Sequence, residues 1–196
     1  VTDKRLKQLI IERVEKSLAI KEAFFRGHLD CVIAGVDLIT ECFVSGHKLL
    51  IFGNGGSAAD AQHIAAEFVN RFQLERRPLP AIALTTDTSI ITSVGNDYHF
   101  EQIFIKQLQA LGSAGDVAIG ISTSGNSPNV VKAMETAQQI GLRTIGFTGQ
   151  GGQLAQYADV LYAVASAATP CIQETHITLA HILCDLVERN IFEPVF

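Results

Sequence analysis

The sequence predicts an α/β domain of three layers (αβα), with a five-stranded parallel sheet between helices and two long helices ahead of it. Three observations carry that expectation. From Lys48 onward, short apolar runs alternate with stretches whose apolar residues recur at helical spacing, the pattern of parallel strands joined by crossover helices. Apolar residues make up 47% of the chain and charged residues 18%, a balance that suits a sheet covered on both faces. Glycine-rich and hydroxyl-rich loops follow two of the runs and open helices, as the loops at the ends of parallel strands do.

In chain order, residues 3–25 set Leu6, Leu9, Ile10, Val14, Leu18 and Ile20 among charges, an amphipathic helix that continues to Gly27. A second helix, about 29–44, runs through Val32, Ile33, Val36, Ile39 and Phe43 and stops at Ser45-Gly46. Two such helices exceed what one face of a small sheet requires. Their spare apolar surface fits a subunit interface or packing within the chain. Strands are expected at 48–53, 80–86, 116–123, 143–148 and 160–165. Helices are expected at about 57–72, 88–94, 100–111, 128–140, near Leu154, and 170–190. With neither a linker nor a repeat, residues 1–196 read as one domain, a helical part over 1–46 and an α/β core over 47–196.

Composition narrows the function. The net charge of −5 has no basic block to oppose it beyond Arg76-Arg77, which argues against direct nucleic-acid binding. No uncharged apolar run reaches the roughly 18 residues of a membrane span, so the expectation is a soluble cytoplasmic protein without a membrane partner. Cys31, Cys42, Cys171 and Cys184 are far apart, lack a CxxC pairing, and read as buried free thiols.

The most telling stretch is Ile121-Ser122-Thr123-Ser124-Gly125-Asn126-Ser127-Pro128. Ser127 is a suitable N-cap and Pro128 a suitable first helical residue, so the positive end of a helix should face a loop of four hydroxyls. That is a cradle for a phosphate dianion, although a plain capped turn uses the same residues. The first strand ends in Gly53-Asn54-Gly55-Gly56-Ser57-Ala58, where Gly53, Gly55 and Ala58 match the dinucleotide fingerprint. The acidic residue that such a site wants some 20 positions on is missing, since Asp87 lies 34 positions after Gly53. Two polar loops at strand ends fit one phosphorylated sugar better than a dinucleotide. Further on, His63 and Glu67 stand one helical turn apart, able to ligate a metal, exchange a proton, or form a surface ion pair. In the last helix, which opens at Thr169-Pro170, Gln173 and His181 fall roughly 80° apart, closer than His176 and His181 at about 140°. A histidine among Ile177, Leu179, Ile182 and Leu183 is more often a core residue than a ligand.

Taken in order, Gly53-Asn54-Gly55-Gly56-Ser57, Asp60-Ala61-Gln62-His63-Ile64-Ala65-Ala66-Glu67, Leu84-Thr85-Thr86-Asp87, Gly95-Asn96-Asp97, Gly120 through Ser127, and Ile172-Gln173-Glu174-Thr175-His176 with His181 resemble the sedoheptulose 7-phosphate isomerases. These phosphoheptose isomerases are a branch of the sugar isomerase (SIS) superfamily, whose domain is flavodoxin-like. The resemblance covers the chain from about Lys48 onward. It implies conversion of sedoheptulose 7-phosphate to D-glycero-D-manno-heptose 7-phosphate through an enediol, an early step toward lipopolysaccharide heptose. It also implies a homotetramer with active sites at subunit interfaces. By position, Ser122, Thr123, Ser124 and Ser127 would hold the phosphate, and Asn54, Gly55, Gly56, Ser57, Arg71, Asp97, Thr169 and Gln173 would surround the sugar. One zinc per subunit would be held by His63, Glu67, Gln173 and His181, and Glu67 and His181 would be the acid/base pair. A zinc-held carboxylate is a weaker base, so Glu67 would leave the metal during turnover or the metal would be structural. Cys171 departs from the arginine common in the family at that place, which puts an ion pair at the start of the last helix in doubt. Asn70-Arg71-Phe72 and Cys184-Asp185-Leu186 also resemble the DnaA initiator-associating protein, a non-catalytic SIS protein that acts through a partner. The presence of both Glu67 and His181 favours the enzyme.

Overall fold

The computed structural model describes residues 3–193. Helices α1 (Asp3–Gly27) and α2 (Leu29–Val44) precede β1 (Leu49–Gly53), followed by α3 (Gly56–Val69), β2 (Ala81–Ala83) and α4 (Thr88–Asp97). A 3₁₀ turn at Phe100–Gln102 runs into α5 (Ile103–Leu111), then β3 (Val117–Ser122), α6 (Pro128–Gln139) and β4 (Arg143–Thr148). A second 3₁₀ turn (Gln153–Tyr157), β5 (Val160–Ala163) and α7 (Thr169–Phe192) complete the chain. The sheet is parallel throughout, in the order β2-β1-β3-β4-β5, so the strand order reverses between β1 and β3. In open parallel sheets the crevice at such a reversal is where ligands sit.

Alternation along the strands builds two cores. Leu49, Ile51, Val117, Ile119, Ile121, Ile145 and Phe147 face α2, α3 and α7, whereas Leu50, Phe52 and Ala118 face α5 and α6 with Phe104, Val130 and Met134. Each of these fully buried large side chains contributes about 1.5–3 kcal/mol. The three layers expected from the alternating pattern are present. The spare apolar surface expected of the first two helices remains open on α1, which buries only Ser17 and Phe24 and leaves Leu6, Leu9, Ile10, Ile11, Val14 and Leu18 exposed, whereas α2 packs Val32, Val36, Ile39 and Phe43 within the chain. Ser17 ties the helix to α7 by donating its hydroxyl hydrogen to Glu174.

Several boundaries differ from the sequence expectation, each for an identifiable reason. The stretch 100–111 is broken because Ile103 N–H bonds back to Phe100, tightening the first turn to 3₁₀. Strand β2 ends early, because the chain turns at Leu84-Thr85 and runs into Asp87, whose carboxylate caps α4 by accepting from Ile90 N–H at 2.9 Å. That capping role accounts for Asp87 without a dinucleotide. Helix α3 ends at Val69 rather than 72, since the next free amides, Phe72, Gln73 and Leu74, donate to Glu188 of α7. Its terminal carbonyls at Glu67 and Phe68 accept from Arg76. Helix α7 starts one residue early with Ala168 at its cap, so Thr169 lies inside the first turn rather than capping it. Of the four free thiols, Cys42 and Cys184 are buried as expected, and Cys31 and Cys171 only half so.

His176 is the core histidine of the last helix. It is 1% exposed, donates from Nε2 to the Thr148 carbonyl at 3.0 Å, and leaves Nδ1 without a partner among the described residues. Burial lowers its pKa from 6.5 to about 4, against a smaller opposing contribution from the Thr148 carbonyl. The unfolded chain therefore binds this proton first as pH falls. The stability it contributes is complete above pH 6.5 and drains away toward pH 4, about 3 kcal/mol in all. Thermal melting followed across that window should show this loss in the wild-type chain, and His176→Gln should flatten it; an unchanged slope in the variant would contradict the assignment.

Candidate active site

The two polar loops lie side by side at the β1/β3 reversal and are bolted together by side-chain amides. Asn54 donates to Asn129 Oδ1 at 2.9 Å, and Asn129 donates to Asn54 Oδ1 at 2.8 Å. Asn129 is 3% exposed and also receives Val130 N–H at 3.0 Å, which fixes the start of α6. Asn54, expected to touch sugar, is thus engaged first in joining the loops. The turn Gly53–Ser57 reaches α3 through Gly55 at φ +56°, and no side chain caps that helix. Its first amides bond back to the turn instead, Ser57 N–H to the Asn54 carbonyl at 3.0 Å and Ala58 N–H to the Gly55 carbonyl at 3.1 Å, so α3 offers the crevice chiefly the positive end of its dipole.

In the hydroxyl loop, Ser122 is buried and bonded to Ser127 at 2.9 Å and to Ser124 at 3.4 Å. Ser127 occupies the N-cap position of α6 but forms no side-chain cap, because its hydroxyl faces Ser122 instead. Gly125, at φ +66°, turns the loop against the Gly149–Gly152 segment; a β-carbon on it would stand 1.7 Å from the Gly151 oxygen. Asn126 Oδ1 accepts from Gln153 N–H at 3.0 Å and Gly125 O from Leu154 N–H at 2.9 Å, fastening the two loops. Between them and the start of α7 lies a cavity of about 250 Å³, lined by Thr123, Ser124, Gln150, Ser166, Ala167, Thr169 and Ile172. Gln150 and Ser166 are new to the site. The glycines around Gln150 read as a bare loop in sequence, and a lone serine after a strand carries no signal.

A second group of side chains lies further along α3 and α7. His63 Nε2 is 2.9 Å from His181 Nε2 and 3.2 Å from Glu67 Oε1, and the three groups converge within 4.8 Å. The Phe72 ring stacks on His181 with centroids 5.6 Å apart. Two imidazole nitrogens facing each other at this distance repel unless a proton or a cation lies between them. Two nitrogens and a carboxylate oxygen are also the donor set of a three-ligand zinc site with an open position, whose ligand atoms stand about 3.3 Å apart. Asp60, one turn before His63, has its pKa raised by burial, opposed by the charge of His63, and its Oδ2 is buried without a hydrogen-bond partner among the described residues.

The remaining expected residues are distributed as follows. Thr123, Ser124 and Thr169 line the cavity, Ser122 and Ser127 support it, and Ser57 is buried beneath the first turn. The Gln173 amide packs against Gly56, joining the starts of α7 and α3. Gln173 is eight residues before His181, about 12 Å along the helix. Arg71 and Asp97 are exposed within one chain, Arg71 paired with Glu75 at 3.3 Å and Asp97 accepting from Asn96 at 2.8 Å. Cys171 replaces no visible ion pair; its carbonyl accepts the Thr175 hydroxyl at 2.8 Å.

A parallel sheet of this order, with hydroxyl and glycine loops meeting at the reversal, defines a SIS domain, and the family model described as SIS domain matches residues 14–149. The phosphoheptose isomerase of Nitratidesulfovibrio vulgaris is 56% identical over 190 residues, 96% of this chain and 91% of that one. That of Aquifex aeolicus is 54% identical over 96% and 97% of the two chains. The structure of phosphoheptose isomerase GmhA from Neisseria gonorrhoeae superposes with a TM-score of 0.88 at 42% identity, covering 93% of this chain and 98% of that one. The chain belongs to the phosphoheptose isomerase family of SIS-domain proteins.

Proposed function

We propose that this chain is an aldose-ketose isomerase that interconverts sedoheptulose 7-phosphate and D-glycero-D-manno-heptose 7-phosphate, supplying the heptose of lipopolysaccharide. The observation that carries the reading is the convergence of Glu67, His63 and His181, all within 4.8 Å, on α3 and on α7, the helix whose first turn lines the hydroxyl cavity. A protein acting only through a partner has no use for that convergence.

The phosphate is held by the hydroxyls of Thr123 and Ser124 and by the amides of the Ser122–Ser127 loop at the start of α6. Thr169 and Gln173 face the sugar. Glu67 takes the proton from C1, the electrons move into an enediol, and a proton returns at C2 while His181 serves the oxygen that gains or loses one. His63, Glu67 and His181 fit a zinc ion by donor type and mutual distance, whereas Gln173, about 12 Å along α7 from His181, does not complete that expected set within one chain. Such an ion, when bound, would polarise the substrate carbonyl. The open apolar face of α1 supports a homotetramer in which neighbouring chains bring Arg71 and Asp97 to the site. No helix among the described residues is long and apolar enough to cross a membrane.

The direct test is isomerase activity on sedoheptulose 7-phosphate, measured before and after treatment with a chelator and after zinc is returned. Conversion by the untreated protein is expected, with a fall of at least about tenfold on metal removal and recovery on addition. No conversion under any condition would refute the activity; full activity after verified metal removal would refute the role of zinc.

A further inference from the structure

The loop between α3 and β2 is held by a buried ion pair that reaches both members of the acid/base pair. Glu188 and Arg76 have side chains 0% and 1% exposed, with Arg76 Nε donating to Glu188 Oε1 at 2.7 Å. Glu188 also accepts the backbone N–H groups of Phe72 at 3.1 Å, and of Gln73 and Leu74 at 2.8 Å each. Burial pushes its carboxyl up, but these three amides and Arg76 more than offset that and hold it below the ordinary glutamate value. Arg76 directs its remaining donors to the carbonyls of Glu67 at 3.0 Å, Phe68 at 2.8 Å, Arg77 at 3.1 Å and Asn70 at 3.3 Å.

Two routes lead from this pair to the chemistry. Arg76 grips the backbone oxygen of Glu67 itself, at the last turn of α3. Glu188 lies seven residues after His181, two turns along the same side of α7, and fixes the amide of Phe72, whose ring stacks on His181. Resting on the isomerase reading above, we infer that Arg76 and Glu188 are positioning residues: their ion pair sets the separation of Glu67 and His181 by locking the end of α3 to α7. A buried pair that only added stability would need no such aim, since apolar residues of similar volume stabilise as well. The guanidinium fork is required because an ammonium has three donors and cannot span a carboxylate and four carbonyls.

The test uses the full chain and the variants Glu188→Gln, Arg76→Lys and Phe72→Leu, with kcat and KM for sedoheptulose 7-phosphate and inhibition by inorganic phosphate as readouts. In Arg76→Lys and Glu188→Gln, kcat is expected to fall at least about thirtyfold while the inhibition constant of phosphate, which reports the distant hydroxyl loop, stays within twofold. Phe72→Leu keeps every buried charge and is expected to lower kcat severalfold with KM unchanged. A cooperatively melting Arg76→Lys or Glu188→Gln protein with kcat within twofold of wild type would overturn the inference. So would weakening of phosphate inhibition by the same factor as kcat, which marks general loosening. Hydrogen exchange on the wild-type chain requires no variant to fold: the amides of Phe72, Gln73 and Leu74 should exchange as slowly as the buried turns of α7, and exposed-loop rates would overturn the inference. If wild type itself leaves the ketose unchanged, the isomerase reading fails, and the exchange measurement still reports whether the clamp exists.

Discussion

Glu67→Gln is expected to lower kcat about a thousandfold and to leave KM within about threefold, because the substitution keeps the shape of the side chain and deletes the proposed base. Positioned general bases contribute roughly 10²–10⁴ in rate. The amide can still accept from His63, which stands 3.2 Å from the carboxylate, so the loss falls on chemistry rather than folding. The hydroxyl loop proposed to grip the phosphate is not altered by the change. His181→Gln should produce a loss of the same order. The double variant should be little worse than either single one, since the two groups act in one proton-transfer unit. Steady-state kinetics on proteins that melt like wild type decide the matter, and a kcat within tenfold for Glu67→Gln would remove Glu67 from the role of base.

Gly125→Ala is expected to damage binding more than any conservative change in the hydroxyl loop. The residue sits at φ +66°, where a β-carbon costs about 1–2 kcal/mol, and that carbon would stand 1.7 Å from the backbone oxygen of Gly151. Backbone on one side or the other must retreat. Retreat breaks the bond from Leu154 N–H to Gly125 O and separates the walls that carry Ser124 and Gln150. A total near 3 kcal/mol corresponds to a fall in Tm of about 6–12 °C for a chain of this size. With the cavity walls displaced, KM should rise at least tenfold and inhibition by inorganic phosphate should weaken in parallel. A variant with wild-type Tm and KM would show that the two loops are not the rigid unit described here.

Much of this architecture was legible in the sequence because the relevant signals are local. Alternating apolar runs gave the sheet, and the loop after Ile121 was visible as hydroxyls ahead of Pro128. The ends of elements were less legible, for they are set by partners distant in the chain. Nothing near Val69 announces that α3 must stop there; the cause is Glu188, more than a hundred residues on. Likewise Ser127 sits where a cap belongs, yet its hydroxyl turns to Ser122, a choice that depends on how the loop closes in space. The pairing of His63 with His181 combines a readable i,i+4 spacing with an unreadable helix contact. Asn129 is an ordinary residue after a proline in the sequence, and only the folded chain reveals its reciprocal bonds with Asn54.

The starts of α3 and α6 converge on the crevice in a chain whose net charge is −5. A doubly charged ester approaching from afar therefore meets repulsion, and attraction sets in only within a turn or so of the amides. Mobile ions near physiological strength blunt the far field beyond about 8 Å and leave the contact forces almost whole. Dissolved salt thus eases the ester's entry, whereas it would hinder capture by a belt of lysines.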